Sequence, residues 1–158
     1  FLEEPDTMIV FASTGPKHTL CVDTHGDLWY FGEKASVGII DKKNKLQFKP
    51  MRLKPSNKDR VGEDDKFRFI AAGLNNNMVI TMNGGKLYNF GQDVVARMRK
   101  QGRIEEENSL EDSDDENSDD GALHEDEVKE HETHFNRQIF TGVTDDDQCS
   151  HISQGLFH

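Results

Sequence analysis

The sequence has few of the residues that cross-link a protein or anchor it in a membrane. Its 158 residues include two cysteines, one tryptophan and four prolines, and 34% are hydrophobic. Two cysteines, Cys21 and Cys149, set no disulfide framework, and Cys21 lies in an apolar run where we expect a small buried hydrophobe. We therefore expect a reducing, intracellular setting, cytoplasmic or nuclear. Because no run of about 18 apolar residues occurs, we expect no membrane span.

Positive charge is almost absent from one stretch of the chain. Between Glu105 and Glu132 there are 15 acidic residues and one basic residue, Lys129, a net charge of −14. The whole chain carries −11, so the remainder carries +3. Such a dense block of like charge repels itself and buries little apolar area, so we expect a disordered acidic insertion in an otherwise slightly basic folded part. Ser109 and Ser113 each have an acid three residues on, which resembles substrates of acidophilic kinases; an unmodified tract is the alternative.

The chain contains a repeated unit of strand, turn and strand. The unit recurs around Gly15 and Gly73, and its opening recurs around Gly155, within Ile152–His158. Short apolar runs rich in β-forming residues, joined by glycine-containing turns, predict antiparallel hairpins. The predicted strands are Met8–Ala12, His18–Val22 and Leu28–Phe31 in the first unit, and Phe67–Ala72, Asn77–Met82 and Leu87–Phe90 in the second.

The spacing of the repeats predicts four regions. Gly15 and Gly73 are 58 residues apart, whereas Gly73 and Gly155 are 82 apart, so the acidic stretch reads as a loop insertion in the second unit. We assign residues 1–60 to the first repeat and a basic linker, and 61–103 to the second repeat. Residues 104–134 are the acidic insertion, and 135–158 are the end of the second repeat and the start of the third. A short helix is expected over Val94–Arg103.

The repeat resembles that of the regulator of chromosome condensation family. The resemblance rests on Gly-x-x-His, an apolar strand, and Gly-x-(apolar)-(aromatic)-x-(aromatic)-Gly, over Phe11–Gly32, Ala71–Gly91 and Ile152–His158. It implies an all-β fold of β-propeller blades: about two repeats plus the start of a third, part of a larger seven-bladed propeller. The pattern is divergent, since Asn76 replaces the histidine of the second unit.

The repeat residues are interpreted as structural. We expect His18 and His158 to bond neighbouring backbone, because a catalytic pair would not recur at one repeat position. We expect the glycines to set backbone geometry at strand ends, and the aromatic residues to pack between blades. The repeat positions are Gly15, His18, Gly26, Trp29, Gly32, Gly73, Gly85, Tyr88, Gly91, Gly155 and His158.

No arrangement of a nucleophile, a base and an orienting residue is evident, and we expect no catalytic, cofactor or metal site. His124, His131 and His134 lie among carboxylates but follow no metal-ligand motif. The basic stretch Lys42–Arg60 has few aromatic residues, so nucleic-acid binding is not expected. The first hypothesis is a non-enzymatic protein-interaction scaffold. The family resemblance implies a second, a guanine-nucleotide exchange factor for a small GTPase. A third is a structural subunit of a large cytoskeletal or ciliary assembly.

Overall fold

Two β-sheets, one for each copy of the repeat, make up the described chain. The computed structural model describes residues 7–56, 59, 61, 66–104, 130–139 and 149–152. The strands are β1 Ile9–Thr14, β2 His18–Asp23, β3 Leu28–Glu33, β4 Leu46–Pro55, β5 Phe67–Ala72, β6 Asn77–Thr81, β7 Leu87–Phe90, β8 Glu130–Thr133 and β9 Phe135–Arg137. The first sheet has the strand order β1-β2-β3-β4-β8 and the second β5-β6-β7-β9. A 3-10 helix spans Ala35–Val37, and helix α1 spans Gln92–Lys100.

The two sheets repeat the same antiparallel three-strand meander. Thr14 pairs with Thr19 in the first sheet, and Ala72 pairs with Asn77 in the second. The register shifts at the same place in both leading strands, after Ile9 and after Phe67. The all-β expectation of partial propeller blades is confirmed, and the six predicted hairpin strands agree with the observed ones to within two residues at each end.

The expectation of a linker between the units was wrong for ten residues. Strand β4, Leu46–Pro55, lies inside the basic stretch and pairs antiparallel with β3. Its lysines and two prolines interrupt the alternation of apolar and polar residues, so the sequence pattern does not predict this strand. The strand tolerates this composition because its first half has no neighbour on its far edge within the described chain.

One ribbon of chain joins the outer edges of the two sheets. Strand β8 pairs parallel with Arg52–Pro55 of β4, and β9, one residue later, pairs antiparallel with β7. The Thr133 hydroxyl donates to the Val37 carbonyl at 2.8 Å, and the Ser56 amide donates to the Thr133 carbonyl. The predicted insertion, 104–134, was therefore too long, since Glu130–Thr133 belongs to a sheet; its other acidic residues, 105–129, lie outside the described residues.

The hydrophobic core lies between the two sheets. The first sheet contributes alternate residues of β2 and β3 to this core. The second sheet contributes residues of β5, β6, β7 and β9. Its members include Leu20, Val22, Leu28, Tyr30, Val79, Tyr88, Phe90 and Phe135. The Phe90 and Phe135 rings stack with centroids 4.6 Å apart, which attaches the ribbon to the core. Each fully buried side chain of this size contributes about 1.5–3 kcal/mol.

A hydrogen bond at the end of the described chain repeats the junction between the first two units. The Phe67 amide donates to the Gly26 carbonyl at 2.9 Å, which joins the second unit to the turn of the first. The Cys149 amide donates to the Gly85 carbonyl at 3.1 Å in the same way. Cys149 precedes Gly155 by as many residues as Phe67 precedes Gly73, so this contact repeats the junction between the first two units.

Candidate interaction surface

The turn after β1, the turn after β5, the loop after β3 and helix α1 all lie at one end of the two sheets, which we call the loop end. The two turns touch, because a Cβ added at Gly15 would lie 2.3 Å from the Gly73 carbonyl oxygen. Gly32 is the second-last residue of β3 and Gly91 directly follows β7, with φ of 109° and 125°. A Cβ at either position would lie 2.4 Å from a carbonyl oxygen, that of Lys17 or of Asn75. Glycine is therefore required at the same place in both units.

His18 joins the two sheets at the loop end, and the expected backbone bond was wrong. Its Nε2 lies 2.7 Å from Oδ1 of Asn77, a side chain in the second sheet. Asn77 Nδ2 donates to the Ser36 carbonyl at 2.8 Å, so this amide bridges three segments. Burial lowers the pKa of His18, an effect partly offset by the hydrogen bond to Asn77 and by Glu33. The neutral imidazole with its proton on Nε2 fits this site, since Asn77 Oδ1 only accepts.

The repeat aromatics occupy equivalent positions with different surroundings. Tyr88 lies in the core between the sheets, whereas its counterpart Trp29 is half-buried on the opposite face of the first sheet. The Trp29 indole Nε1 donates to Asp23 Oδ2 at 2.8 Å. Cys21 pairs with Trp29 in register and shares this face, so it is half-buried rather than buried as expected. Partial burial raises the pKa of its thiol.

At the far end of the sheets from the loop end, charges are paired. Arg52 and Lys66 each contact Asp27 Oδ1 at 2.7 Å. Partial burial acts to raise the pKa of Asp27, but the two cations prevail and lower it. Nearby, the Asp23 carboxylate accepts backbone amides of His25 and Asp27, each at 2.9 Å. These contacts close the turn between β2 and β3, and the charges of Arg52, Lys66 and Asp27 are paired with one another.

The two histidines of the ribbon, His131 and His134, form hydrogen bonds with other side chains of the chain. Tyr30 and His131 form a hydrogen bond between the Tyr30 hydroxyl and His131 Nδ1. Burial lowers the pKa of His131, assisted by the charge of Lys34, and burial raises the pKa of Tyr30. His134 Nδ1 lies 3.4 Å from Asp59 Oδ1. Within the described ranges, no group of three or more His, Cys, Asp or Glu side chains is arranged to hold a metal ion.

The loop after β3 is held by a buried lysine. Lys34 Nζ lies 2.8 Å from Asp41 Oδ2, and the Lys34 side chain is 6% exposed. Asp41 also accepts the backbone amides of Lys43 and Asn44. The hydrogen bond from Lys34, followed by that from Asn44, lowers the pKa of Asp41 to about 2. The loop is therefore fixed from inside, where Ser36 and Val37 are also buried, while Ile40 and residues 42–45 are exposed.

Exposed side chains of this loop and of β4 form what we call the loop surface. Three large apolar residues are exposed: Phe48 at 83%, Ile40 at 49% and Leu46 at 45%. Phe48 lies on a bulge, because Gln47 pairs with Gly32 while Met51 pairs with Tyr30, which leaves three residues opposite one. Four lysines share the surface and form no salt bridge with any described residue. The loop surface comprises Ile40, Lys42, Lys43, Lys45, Leu46, Phe48 and Lys49.

A cavity of about 320 Å³ opens beside the loop surface. It lies between the loop after β3, in the first unit, and helix α1, which follows β7 in the second, and we call it the interblade pocket. Its lining is mainly apolar in the middle and charged around the rim. The lining residues are Glu33, Ala35, Gly38, Ile39, Ile40, Asp41, Lys42, Lys45, Gln92, Val95, Ala96 and Arg99.

Sequence reasoning found the repeat residues but not this surface. Gly155 and His158 of the predicted repeat, the predicted phosphorylation sites Ser109 and Ser113, and His124 lie outside the described residues. Asn77, Lys34 and Phe48 were missed. The lysines between Lys42 and Lys54 are visible in the sequence. No local pattern, however, indicates the bulge in β4 that exposes Phe48.

The fold and the surface define a class: two adjacent blades of a β-propeller, with an apolar and basic surface at the loop end. Along the described part of the chain, no helix has the length and apolar character that a membrane span needs.

The chain is similar in fold to human WBSCR16. The similarity has a TM-score of 0.56 and 13% identity, and covers 96% of this chain and 29% of that one. Prp20p from Saccharomyces cerevisiae, a structure described with its binding to Gsp1p and histones, is similar at a TM-score of 0.43 and 21% identity, covering 58% of this chain and 22% of that one. Yeast RCC1 (Prp20) bound to Kap60 is similar at a TM-score of 0.41 and 21% identity, covering 54% and 20%.

No family model and no curated protein matches the chain. The chain spans less than a third of the length of these solved structures. The likeness to human WBSCR16 supports a propeller fold of the type that the repeat resemblance implies. Membership of the regulator of chromosome condensation family stays a prediction.

Proposed function

We propose that the chain is part of a non-enzymatic scaffold that binds a partner protein through the loop surface. One observation carries this proposal: Phe48, in the first half of β4, has 83% of its area exposed and lies between Leu46 and Lys49. Exposed aromatic anchors beside unpaired charges are typical of protein-binding surfaces. The lysines favour a partner with an acidic surface and would accelerate its association.

Two contacts hold the backbone of the loop surface in place. The Gln47 side-chain amide donates to the Lys49 carbonyl at 3.0 Å, which closes the bulge around Phe48. The Lys34–Asp41 pair fixes the preceding loop from inside. A preformed surface loses little conformational entropy on binding, so its contacts translate into affinity.

Site-specific photocrosslinking tests the proposal without knowledge of the partner. A benzophenone amino acid placed at Phe48 should give discrete protein adducts in cells, and Lys45→Glu combined with Lys49→Glu should abolish them. The same probe at Asn83, an exposed turn residue at the far end of the sheets, serves as the control. Adducts that are identical from both positions, or that persist in the charge-reversed variant, would refute the proposal.

Nucleotide exchange on a small GTPase is the alternative. The specific observation in its favour is that the Phe48 bulge protrudes from the blade, as a loop that wedges into a GTPase must. A fluorescent nucleotide-release assay against a panel of GTPases separates the two functions. The scaffold predicts unchanged release rates, and acceleration that is lost with Phe48→Ala would establish the exchange factor. An intracellular setting, suggested by the two free cysteines, stays a prediction.

A further inference from the structure

The interblade pocket has acidic and basic residues on its rim, but only the acids are neutralised. Glu33 Oε1 lies 3.2 Å from Lys17 Nζ, and Glu33 Oε2 accepts the Ser36 hydroxyl at 2.8 Å. Asp41 is paired with Lys34, as described above. Both carboxylates therefore already have hydrogen-bond donors, and neither needs a ligand cation.

The basic residues of the pocket have no such partners. Lys42, Lys45 and Arg99 line the pocket, and none of them forms a salt bridge with a residue that the structure describes. The Arg99 Nε is buried without a hydrogen-bond partner in the same part of the chain. A buried donor without an acceptor is costly, so an acceptor supplied by a ligand would be favoured here. The rim consequently presents three positive charges.

The middle of the pocket is apolar. Ile39 and Ile40 line it from the first unit, and Val95 and Ala96 line it from helix α1. Its volume of about 320 Å³ lies at the small end of the range of ligand pockets, and suits one or two aliphatic side chains. Ile40, Lys42 and Lys45 belong to both the pocket and the loop surface, so a chain lying on that surface passes the pocket mouth.

We propose that the interblade pocket binds a short acidic segment of a partner protein. An aliphatic side chain of the segment enters between Ile39 and Val95, and flanking carboxylates pair with Lys42, Lys45 and Arg99. Charge complementarity selects the acidic segment, because the only unpaired charges of the described rim are positive. This inference rests on the proposed scaffold function and assigns the chemistry of the partner.

Fluorescence anisotropy with a labelled peptide tests the inference on the full chain. The probe has a central leucine flanked on each side by two glutamates. It should bind, bind more weakly as salt rises, and lose at least about tenfold in affinity with Arg99→Glu or with Lys42→Glu. The matched control is Lys100→Glu, the same charge change at the next residue of helix α1, outside the pocket, which should retain binding.

Two further changes test whether the apolar middle of the interblade pocket contributes to binding. Replacing the leucine of the probe by serine should weaken binding, and so should Ala96→Leu, which fills the pocket from an exposed helical position. Equal binding of both peptides would overturn the inference, because it would show charge attraction alone. Equal losses with Arg99→Glu and Lys100→Glu would overturn it as well.

The chain's own acidic stretch is the competing occupant. If the probe binds only after the carboxylates of residues 105–129 are replaced by amides, the pocket serves that stretch rather than a partner, and the inference is wrong. Failure of the scaffold function is distinguishable, because it appears as loss of Phe48 crosslinks while peptide binding continues. Retained crosslinks without peptide binding would refute the pocket alone.

Discussion

His18 Nε2 and Asn77 Oδ1 lie 2.7 Å apart and form a buried hydrogen bond between two blades. The strand registers show that Asn77 corresponds to Thr19 of the first unit, so the contact joins unlike positions of the repeat. Asn77→Ala would leave the His18 imidazole and the Ser36 carbonyl without their partner. We expect it to lower the free energy of unfolding by at least about 2 kcal/mol, measured by urea denaturation.

The exposed asparagine Asn44 supplies the control for that measurement. Its side chain has no described partner, and its backbone amide, which binds Asp41, is retained in Asn44→Ala. The control should change stability by no more than about 0.5 kcal/mol. A loss for Asn77→Ala as small as that of the control would mean that the contact between the blades does not stabilise them.

Gly91→Ala should be among the most destabilising single substitutions. Its φ of 125° is unfavourable for alanine, and the new Cβ would lie 2.4 Å from the Asn75 carbonyl oxygen and 2.9 Å from that of Ser36. Strain and overlap together predict a loss of about 3 kcal/mol or more. Gly102→Ala is the comparison, because its φ is also positive, at 65°, but nothing lies within 4 Å of the added Cβ.

Thermal melts of the two variants separate backbone strain from steric overlap. Strain alone predicts about 1–2 kcal/mol at Gly102. If Gly91→Ala cost no more than Gly102→Ala, the carbonyl oxygens of Asn75 and Ser36 would have to lie farther from Gly91 than described.

Stability should decrease as the pH falls from 7.5 to 5.5. The pKa values of His18 and His131 are both lowered in the folded protein, mainly by burial. Below the ordinary histidine pKa of about 6.5, the unfolded chain takes up protons before the folded one, which favours unfolding. Above that pH neither state is charged at these positions, so their contribution is then fully present.

The variants His18→Gln and His131→Gln test the assignment. Each should make the free energy of unfolding less dependent on pH between 7.5 and 5.5, whatever its effect at pH 7.5. The carboxylates with lowered pKa, including Asp27 and Asp41, lose their contribution only below about pH 4.5, outside this window. An unaltered pH dependence in both variants would assign it to other groups.

Phe48→Ala should leave the stability within about 0.5 kcal/mol of the parent, since 83% of Phe48 is exposed. The same substitution at Phe90, which is fully buried against Phe135, should cost about 3–5 kcal/mol. Chemical denaturation of both variants measures the difference. A large loss at Phe48 would show that its ring packs within the protein, and would remove the main support for the loop surface.

The hairpin strands were predictable because their signals are local. In β2, β3, β6 and β7 short runs rich in apolar and aromatic residues are bounded by turns that contain glycine, so composition and turn signals identify each strand. Strand β4 was not predictable in this way, since the three-residue bulge at Phe48 shifts its alternation. Strand β8, Glu130–Thr133, consists of four polar or charged residues, Glu-His-Glu-Thr. Nothing local distinguishes it from the acidic stretch.

The site depended on contacts that no local pattern encodes. The hydrogen-bonded residues His18 and Asn77 are separated by 59 positions in the sequence. Tyr30 and His131 are separated by 101 positions. The interblade pocket forms only when the loop after β3 meets helix α1, and the two lie in different units. Composition predicted a basic stretch, but the pairing of Lys34 with Asp41, and the lack of such a pair for Lys42 among the described residues, follow from tertiary structure.

The ribbon that runs from β8 to β9 has a consequence for how the chain is made. During synthesis, β5, β6 and β7 leave the ribosome well before their fourth strand, because the whole acidic stretch is translated in between. The second sheet therefore lacks strand β9 until Phe135 has been translated. The first sheet gains its fifth strand, β8, at the same stage of synthesis. Both sheets reach their final width together, late, and through eight consecutive residues.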